Sequence, residues 1–535
     1  MRRFIAILIT ALVAALLVVA QPAQAGAPPT APATSEYQPP AIDWGACINP
    51  TLARFGAQCG FVIVPLNYQD PAGATIQIAV SRVQHSVPDD QYQGIMLVNP
   101  GGPGGSGLIY STLGGAIPNG AGASYDWIGF DPRGVGASVP SLSCDGNYFS
   151  NPRPQYIPYT ASLQKTWLDR SKGYAQACTA AGGELLEHLK TTDSVRDMDS
   201  IRAALGERQL NFYGFSYGTY LAQVYSTLYP ERVRRMVLDG VVNSSRVWYQ
   251  ANLDQDVAFD RNMDVYFKWL AKYDEVYGLG TDWREIKLDY YVQYAKLSAN
   301  PAGGFGPDEL NDVMLSAGYY VYDWAALGEA FSKLVNDGDY EPLLARYEGG
   351  NPQGPGADNG FAVYLATQCT DVQWPQKWST WQRDNWTTFA RAPFLTWNNA
   401  WYNAPCLYWS APAGSPVRVN GAAAPPILLI SETKDAATPY SGAIKTRQLF
   451  PQSVLIEGVG GTTHSGSLSG VSCTDDKIAD YLATGALPTR VSGNRSDVQC
   501  DPVPPPDPAT AAALSAASTP EADILTQLHE QLAGR

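Results

Sequence analysis

Ser216 sits in Tyr213-Gly214-Phe215-Ser216-Tyr217-Gly218-Thr219, a Gly-x-Ser-x-Gly arrangement. A strand-like run, Leu210-Asn211-Phe212, precedes it, and a helix-like run, Tyr220-Leu221-Ala222 with Val224, follows. A serine on such a sharp strand-to-helix turn is lifted clear of a sheet, and the flanking glycines let the backbone make the turn. The same pattern arises by chance in ordinary loops, but the strand and helix on either side argue against that here. Ser216 is the expected nucleophile.

A nucleophilic serine needs a base, and the base needs an acid to orient it. The chain has four histidines, His85, His188, His464 and His529. His464 lies in Gly460-Gly461-Thr462-Thr463-His464-Ser465-Gly466, a Gly-rich loop after the last strand-like run. That is the chain order and position expected of the base. The acid should follow a strand between the two. Residues 427–430 supply the strand and Ser431-Glu432-Thr433-Lys434-Asp435-Ala436-Ala437-Thr438-Pro439 the loop. Asp435 is expected to hold the imidazole tautomer and stabilise the imidazolium. Glu432 in the same loop and Asp239, ending the strand after the nucleophile helix, are the alternatives.

An oxyanion needs two backbone N–H groups. One is expected from Tyr217. The other should come from Asn99-Pro100-Gly101-Gly102-Pro103-Gly104-Gly105-Ser106-Gly107, whose glycines allow close backbone approach. Phosphate cradling is the other use of such a loop. No Gly-Lys-Ser/Thr follows it here.

Elements must hold these residues in place. Residues 61–66 and 75–83 look like early strands, the second alternating apolar and polar. Short apolar runs at 94–98, 126–130, 210–214, 234–239, 426–431 and 453–457 suit buried parallel strands, the last of these closing the series. Residues 193–205 carry apolar groups at helical spacing. Strands alternating with helices imply an α/β class with a mainly parallel, doubly wound sheet. The core is expected over 43–244 and 411–500. Between them, at 245–410, strand signals fade, and 11 of the 14 tryptophans fall there. This stretch reads as an inserted, mostly helical cap, with most tryptophans in its own core and a few lining the cleft.

The chain of 535 residues exceeds one typical domain, and 45% hydrophobic content suffices for a large core. A net charge of -14 leaves no basic surface for phosphates, so nucleic acid is not an expected partner. Arg2 and Arg3, the apolar run 4–20 and Ala23-Gln24-Ala25 read as an export signal over 1–25. The run is nearly long enough for a membrane anchor, but the Ala-x-Ala site favours cleavage, leaving no stable membrane insertion. A Pro/Ala-rich linker or pro-segment follows over 26–42, and a Pro/Ala-rich tail with a short helix over 501–535. Export fits the eight cysteines, whose nearest-neighbour pairing is Cys47–Cys59, Cys144–Cys178, Cys369–Cys406 and Cys473–Cys500. No Cys-x-x-Cys or His-Glu-x-x-His suggests a metal.

The loop 101–107, Asp131-Pro132-Arg133-Gly134-Val135-Gly136-Ala137-Ser138, Gly214-Phe215-Ser216-Tyr217-Gly218-Thr219 and Val237-Leu238-Asp239-Gly240-Val241 together resemble the secreted tripeptidyl aminopeptidases of actinobacteria. Those enzymes are α/β-hydrolases related to proline iminopeptidase. The late Cys473…Tyr481-Leu482…Gly485…Leu487-Pro488…Cys500 stretch is also similar to theirs, so the likeness runs from about Asp43 to Cys500. The resemblance implies an α/β-hydrolase fold, release of short peptides from free N-termini, and oxyanion N–H groups from Gly102 and Tyr217. Relatives often begin the first loop with His; Asn99-Pro100 stand in that place here. Asp131 and Arg133 are expected to fix loops near the site. The resemblance also implies acidic residues near the cap for the substrate ammonium. Asp371 is one, equally readable as a solvated loop residue, and Glu432 another.

The expected function is a secreted serine exopeptidase acting on peptides through an acyl-enzyme, with no metal or organic cofactor required. An esterase or amidase for a small non-peptide substrate shares fold and triad. A catalytically silent binding protein is the reading from another class.

Overall fold

A computed structural model describes residues 37–509. The export segment, the linker up to residue 36 and the tail beyond residue 509 lie outside the described residues. The described strands are β1 (Gly45–Ala46), β2 (Gln58–Pro65), β3 (Thr75–Val83), β4 (Ile95–Asn99) and β5 (Asp126–Phe130), then β6 (Leu210–Phe215), β7 (Val233–Asp239), β8 (Leu428–Glu432), β9 (Val454–Gly458) and β10 (Val498–Cys500). They form one sheet in the order β1-β2-β3-β5-β4-β6-β7-β8-β9-β10. The β1–β2–β3–β5 pairings are antiparallel, and every pairing from β5–β4 to β9–β10 is parallel.

The central strands β4, β5, β6, β8 and β9 are buried at every position. Layers cover both of their faces, which is why the sequence shows unbroken apolar runs instead of alternation. The sheet extends one strand past the run at 453–457 that closes the expected series. β10 is only three residues long, and its Val-Gln-Cys sequence carries no strand signal of its own. Pairing with β9 and the Cys473–Cys500 disulfide define it.

The first half of the chain carries α1 (Pro50–Arg54), α2 (Ala161–Gly182), α3 (Thr191–Ala204) and α4 (Tyr217–Leu228). Between β7 and β8 come α5 (Tyr249–Lys272), α6 (Asp274–Tyr277), α7 (Trp283–Ala299), α8 (Pro307–Tyr319), α9 (Trp324–Asp337), α10 (Glu341–Gly350), α11 (Asn359–Asp371), α12 (Trp378–Phe389) and α13 (Thr396–Asn403). The helices α14 (Ser441–Leu449) and α15 (Ser472–Thr484) complete the described set.

The 245–410 stretch does not pack as one separate layer. Residues from α5 and α7–α10 build most of a second apolar cluster, which Ala436, Ala437 and Val503 join. Phe361, Val363 and Leu365 of α11 instead join the cluster that contains β2, β3, β4 and α4. A third cluster joins Tyr156 and Trp167, which lie before α3, to Trp397 and Trp401 of α13. Trp167 and Trp401 stack at 5.7 Å and 12°. Offset stacking of this kind adds about 0.5–1.5 kcal/mol beyond the area buried. The helical layer over the sheet is therefore built from two chain excursions, not one.

The cysteines pair at bonding distance as Cys47–Cys59, Cys144–Cys178, Cys369–Cys406 and Cys473–Cys500. The third fastens α11 to the turn that follows α13. Closing loops of 12 to 37 residues restricts the unfolded chain by about 3–4 kcal/mol per bridge in the chain-entropy account.

Candidate active site

Ser216 occupies the turn between β6 and α4 with φ 53° and ψ -122°. A non-glycine residue at positive φ is strained, and such strain gathers at functional sites. The turn survives because its neighbours are fixed. The Ser216 N–H donates to the Asp239 carbonyl at 2.9 Å, and a Cβ on Gly218 would sit 2.6 Å from the Asn99 carbonyl oxygen.

The glycine loop after β4 lies directly against this turn. Gly101 has φ +100°, and a Cβ there would meet Phe215 O at 2.7 Å, Ser216 Cβ at 2.8 Å and Tyr217 N at 2.9 Å. Gly102 is also at positive φ. The backbone of Gly101 and Gly102 and the first N–H of α4 thus gather beside Ser216, where the helix dipole favours negative charge. Asn99 Oδ1 folds the loop back by accepting the Gly101 N–H at 2.9 Å. Asp131 secures the far end, accepting from Ser106 Oγ at 2.6 Å and from the Gly107 and Ala137 N–H groups. Arg133 makes two bonds to Asp197 and others to the carbonyls of Leu66 and His188.

Asp435 and His464 meet at 2.8 Å, Oδ2 to Nδ1, both buried. Thr438, three residues on, donates its N–H to Asp435 Oδ1 at 2.9 Å and its hydroxyl to Oδ2 at 2.8 Å. The carboxylate therefore faces His464 in one fixed orientation. Helix α5 buttresses the loop, with Gln255 Nε2 donating to the Ala437 carbonyl at 2.6 Å. The His464 N–H donates to the Tyr319 carbonyl at 2.8 Å, and the two rings lie edge to face at 6.0 Å. Gly240 leaves room for the imidazole, since a Cβ there would meet His464 Cε1 at 2.7 Å.

The loop bearing His464 is gripped by carboxylates. Asp239 accepts the Ser467 N–H at 2.8 Å, and Asp475 those of Leu468 and Gly470 at 2.8 and 2.9 Å. Glu432 accepts the Thr463 N–H. Burial pushes Asp239 up to about 6 and Glu432 up to about 8 against these hydrogen bonds.

Ser216, Tyr217, Gly102 and His464 line one cleft of about 750 Å³ under the helical layer. Asp371 and Glu432 are not in its wall. Asp371 ends α11 and accepts from Thr191 N and Oγ1 at 2.7 and 2.6 Å and from Trp248 Nε1 at 3.1 Å. Burial raises it to about 6. It braces Tyr217 from behind, because Thr191 Oγ1 also bonds the Tyr217 hydroxyl at 2.7 Å. Of the other histidines, His85 bonds Asp126 at 2.7 Å, the His188 carbonyl holds Arg133, and His529 lies outside the described residues.

Sequence reasoning missed Thr438 and Asp312. An Asp-x-x-Thr local turn is a readable signal for the first. The second had none. Asp312 lines the cleft and belongs to a group in which Asp308, Glu309 and Asp312 surround Arg153. Arg153 Nη2 bonds Asp312 at 2.6 Å, and Tyr156 Oη and Asn398 Nδ2 donate to Asp312 at 2.9 and 2.8 Å. Burial pushes Asp308 well above the usual carboxylate range.

A parallel sheet with a serine on the turn after its central strand, and a His–Asp pair beside that turn, define an α/β-hydrolase of the serine type. Residues 94–332 match the alpha/beta hydrolase fold family, and residues 392–500 match the family described as TAP-like protein. The tripeptidyl aminopeptidase of Streptomyces coelicolor is 41% identical over 478 residues, 87% of each chain. The serine protease Hip1 of Mycobacterium tuberculosis is 30% identical, covering 84% of this chain and 89% of its own. Carboxylesterase B of the same species is also 30% identical, covering 87% and 91%. The chain belongs to the tripeptidyl aminopeptidase family.

Proposed function

We propose that the protein is an exported serine aminopeptidase that releases short peptides, of the tripeptide class, from free N-termini. Ser216 attacks the scissile carbonyl, His464 takes and returns the proton, and Asp435 holds His464. The N–H groups of Gly102 and Tyr217 stabilise the oxyanion. Water then hydrolyses the acyl-enzyme.

The observation that carries a peptide substrate is the chemistry of the lining of the cleft that holds Ser216. Asn252, Gln255, Gln368, Asn398 and Asn399 line it, and Gln368 Oε1 is buried with no hydrogen-bond partner among the described residues. Carboxamides offer both donors and acceptors, matching the alternating N–H and C=O of a peptide backbone. The N–H₂ groups of Asn252, Gln255, Asn398 and Asn399 already bond within the protein, so Gln368 Oε1 is the acceptor that a peptide N–H would satisfy and a simple ester would leave unpaired, at a cost of about 1–3 kcal/mol. Asp312 is the proposed acceptor for the substrate ammonium. Even with Asp308 protonated, two carboxyl groups, Glu309 and Asp312, face one guanidinium, and Asp312 keeps one-fifth of its side chain exposed.

Export is supported by the signal pattern at 1–25 and by the four disulfides. Among the described residues no helix is long and apolar enough to cross a membrane.

The relative named carboxylesterase B favours a second reading, a small-ester hydrolase on the same scaffold. Mono-, di- and tripeptidyl chromogenic amides, free and N-acetylated, beside a simple ester, separate the two. Cleavage of free-amine tripeptidyl substrates, lost in Ser216→Ala, is expected. Ester turnover with no peptide cleavage would overturn the aminopeptidase reading.

A further inference from the structure

Glu432 ends β8, three residues before Asp435, and its side chain is turned away from the cleft into the protein. Its two carboxyl oxygens hold two separate pieces of chain. Oε2 accepts the N–H of Thr463, the residue before His464, and Oε1 accepts the N–H of Val503 at 2.7 Å. Its own backbone carbonyl accepts the Asp435 N–H at 3.1 Å. One residue therefore sets the start of the Asp435 turn, the approach to His464 and the seat of the chain after β10.

The space for this contact is built by three glycines. A Cβ on Gly461 would lie 2.3 Å from Glu432 Oε2 and 2.5 Å from Pro502 Cβ. One on Gly458 would lie 3.0 Å from Glu432 Cγ, and one on Gly466 would lie 2.8 Å from Val503 Cγ2. Beyond β10 the chain reads Asp501-Pro502-Val503-Pro504-Pro505-Pro506. Val503 has the free N–H in this proline-rich run, and Glu432 takes it. The Val503 side chain is buried with Ala436 and Ala437, on the Asp435 loop, in the cluster built by α5 and α7–α10. Three residues later, the Pro506 carbonyl accepts Trp269 Nε1 of α5 at 3.1 Å.

We propose that Glu432 is a positioning residue for His464, and that it works only with the 502–506 strap in place. The strap spans from α5 to the catalytic loop. Its amide at Val503 occupies one carboxyl oxygen and thereby directs the other to Thr463. The Gly-rich loop of His464 has little conformational preference of its own and takes its shape from the bonds that hold it. Without the strap, Glu432 is free to turn, and the imidazole loses its aim at Ser216. The proposal rests on the reading of Ser216 and His464 as nucleophile and base. It does not depend on whether the acyl group is a peptide.

Two variants of the full-length protein test it. Glu432→Gln keeps the shape but presents an amide N–H₂ where a backbone donor sits. Val503→Pro keeps the strap apolar and removes the N–H, and Val503→Ala, which trims the buried side chain but keeps the N–H, is its control. Each is measured with a simple chromogenic ester, with a free-amine tripeptidyl amide and by the rate of fluorophosphonate labelling of Ser216. A reacting group misplaced by about 1 Å costs about 10²-fold. Both variants are expected to lose about 10- to 100-fold in kcat and in labelling rate, with KM for the ester little changed. The double variant is expected to lose no more than either single one, because both break the same link. Unchanged kcat in folded variants would overturn the proposal, as would losses that multiply in the double variant. A loss in Glu432→Gln alone would overturn the part given to the strap. If Glu432→Gln does not fold, Val503→Pro decides by the same kcat-against-KM reading. Ester turnover without peptide turnover in the wild type would sink the aminopeptidase reading and leave this one standing.

Discussion

Asp239 serves the Ser216 turn and the His464 loop at once. Its carbonyl accepts the Ser216 N–H at 2.9 Å, and its carboxylate accepts the Ser467 N–H at 2.8 Å. The strand end that sets the nucleophile's backbone thus also sets the loop three residues after the base. Asp239→Ala keeps the first bond and deletes the second. It is expected to lower kcat by about 10- to 100-fold through displacement of His464, with KM within about threefold of wild type. Steady-state kinetics on a tripeptidyl amide reads this directly. A KM effect with kcat intact would assign Asp239 to substrate binding instead.

Gly101 gives a steric test of the glycine loop. Any Cβ there would fall within 2.9 Å of three atoms of the Ser216 turn, all of them backbone or Cβ that cannot swing aside. Gly101→Ala is expected to abolish fluorophosphonate labelling and to cost about 2 kcal/mol or more in stability, since the φ of +100° is also unsuited to alanine. Gly120 is the control. It too has positive φ, +68°, but nothing lies within 4 Å of its Cβ position. Gly120→Ala should cost about 1 kcal/mol and leave labelling unchanged. Equal labelling in both variants would show that the loop does not approach Ser216 as described.

How far the sequence could be read follows from which features are local. The turn of Ser216, the apolar runs of β4, β6 and β8, and the glycine loops are written in contiguous residues. So is the Asp435-x-x-Thr438 turn, although Thr438 was overlooked as a partner. The β10 strand is written nowhere; three residues become a strand because β9 and a disulfide hold them. The second excursion into the helical layer is equally silent, because it depends on Trp167 meeting Trp401 across 234 positions. The misplaced expectation at Asp371 has the same origin. The family resemblance implies acidic residues near the cap, and in sequence Asp371 is equally readable as a solvated loop residue. Its partners, Thr191 and Trp248, lie more than 120 residues away and turn it inward.

The Arg153 group predicts how free N-termini are chosen. In Asp312→Asn the bonds from Tyr156 and Asn398 can persist, but the charge that would meet an ammonium is gone. KM for a free-amine tripeptidyl amide is expected to rise about 10- to 100-fold, the scale of about 1.5–3 kcal/mol for a hydrogen bond to a charged group. Turnover of the simple ester should be unaffected. The preference over the N-acetylated substrate should shrink by the same factor. A uniform loss on all three substrates would mean that Asp312 supports the fold through Arg153 and does not read the ammonium.

Asp256 should govern part of the protein's pH stability. It lies on α5, almost fully buried, and accepts from Asn399 Nδ2 at 2.9 Å. Burial pushes its carboxyl up to about 8, with the nearby Asp254 adding to the effect. The folded chain therefore keeps a proton there that the unfolded chain releases near pH 4. Its contribution to stability is complete below pH 4 and is lost as pH rises toward 8. The expected slope is at most about 1.4 kcal/mol per pH unit for one proton. Asp256→Asn replaces the protonated acid with a neutral amide of the same shape. Denaturant melts at pH 5, 7 and 9 should show wild type losing stability with pH and the variant losing less, so that the two converge or cross. Parallel curves would mean that Asp256 ionises in the folded state at an ordinary pH, with a cation or solvent reaching it from the cleft side of α5.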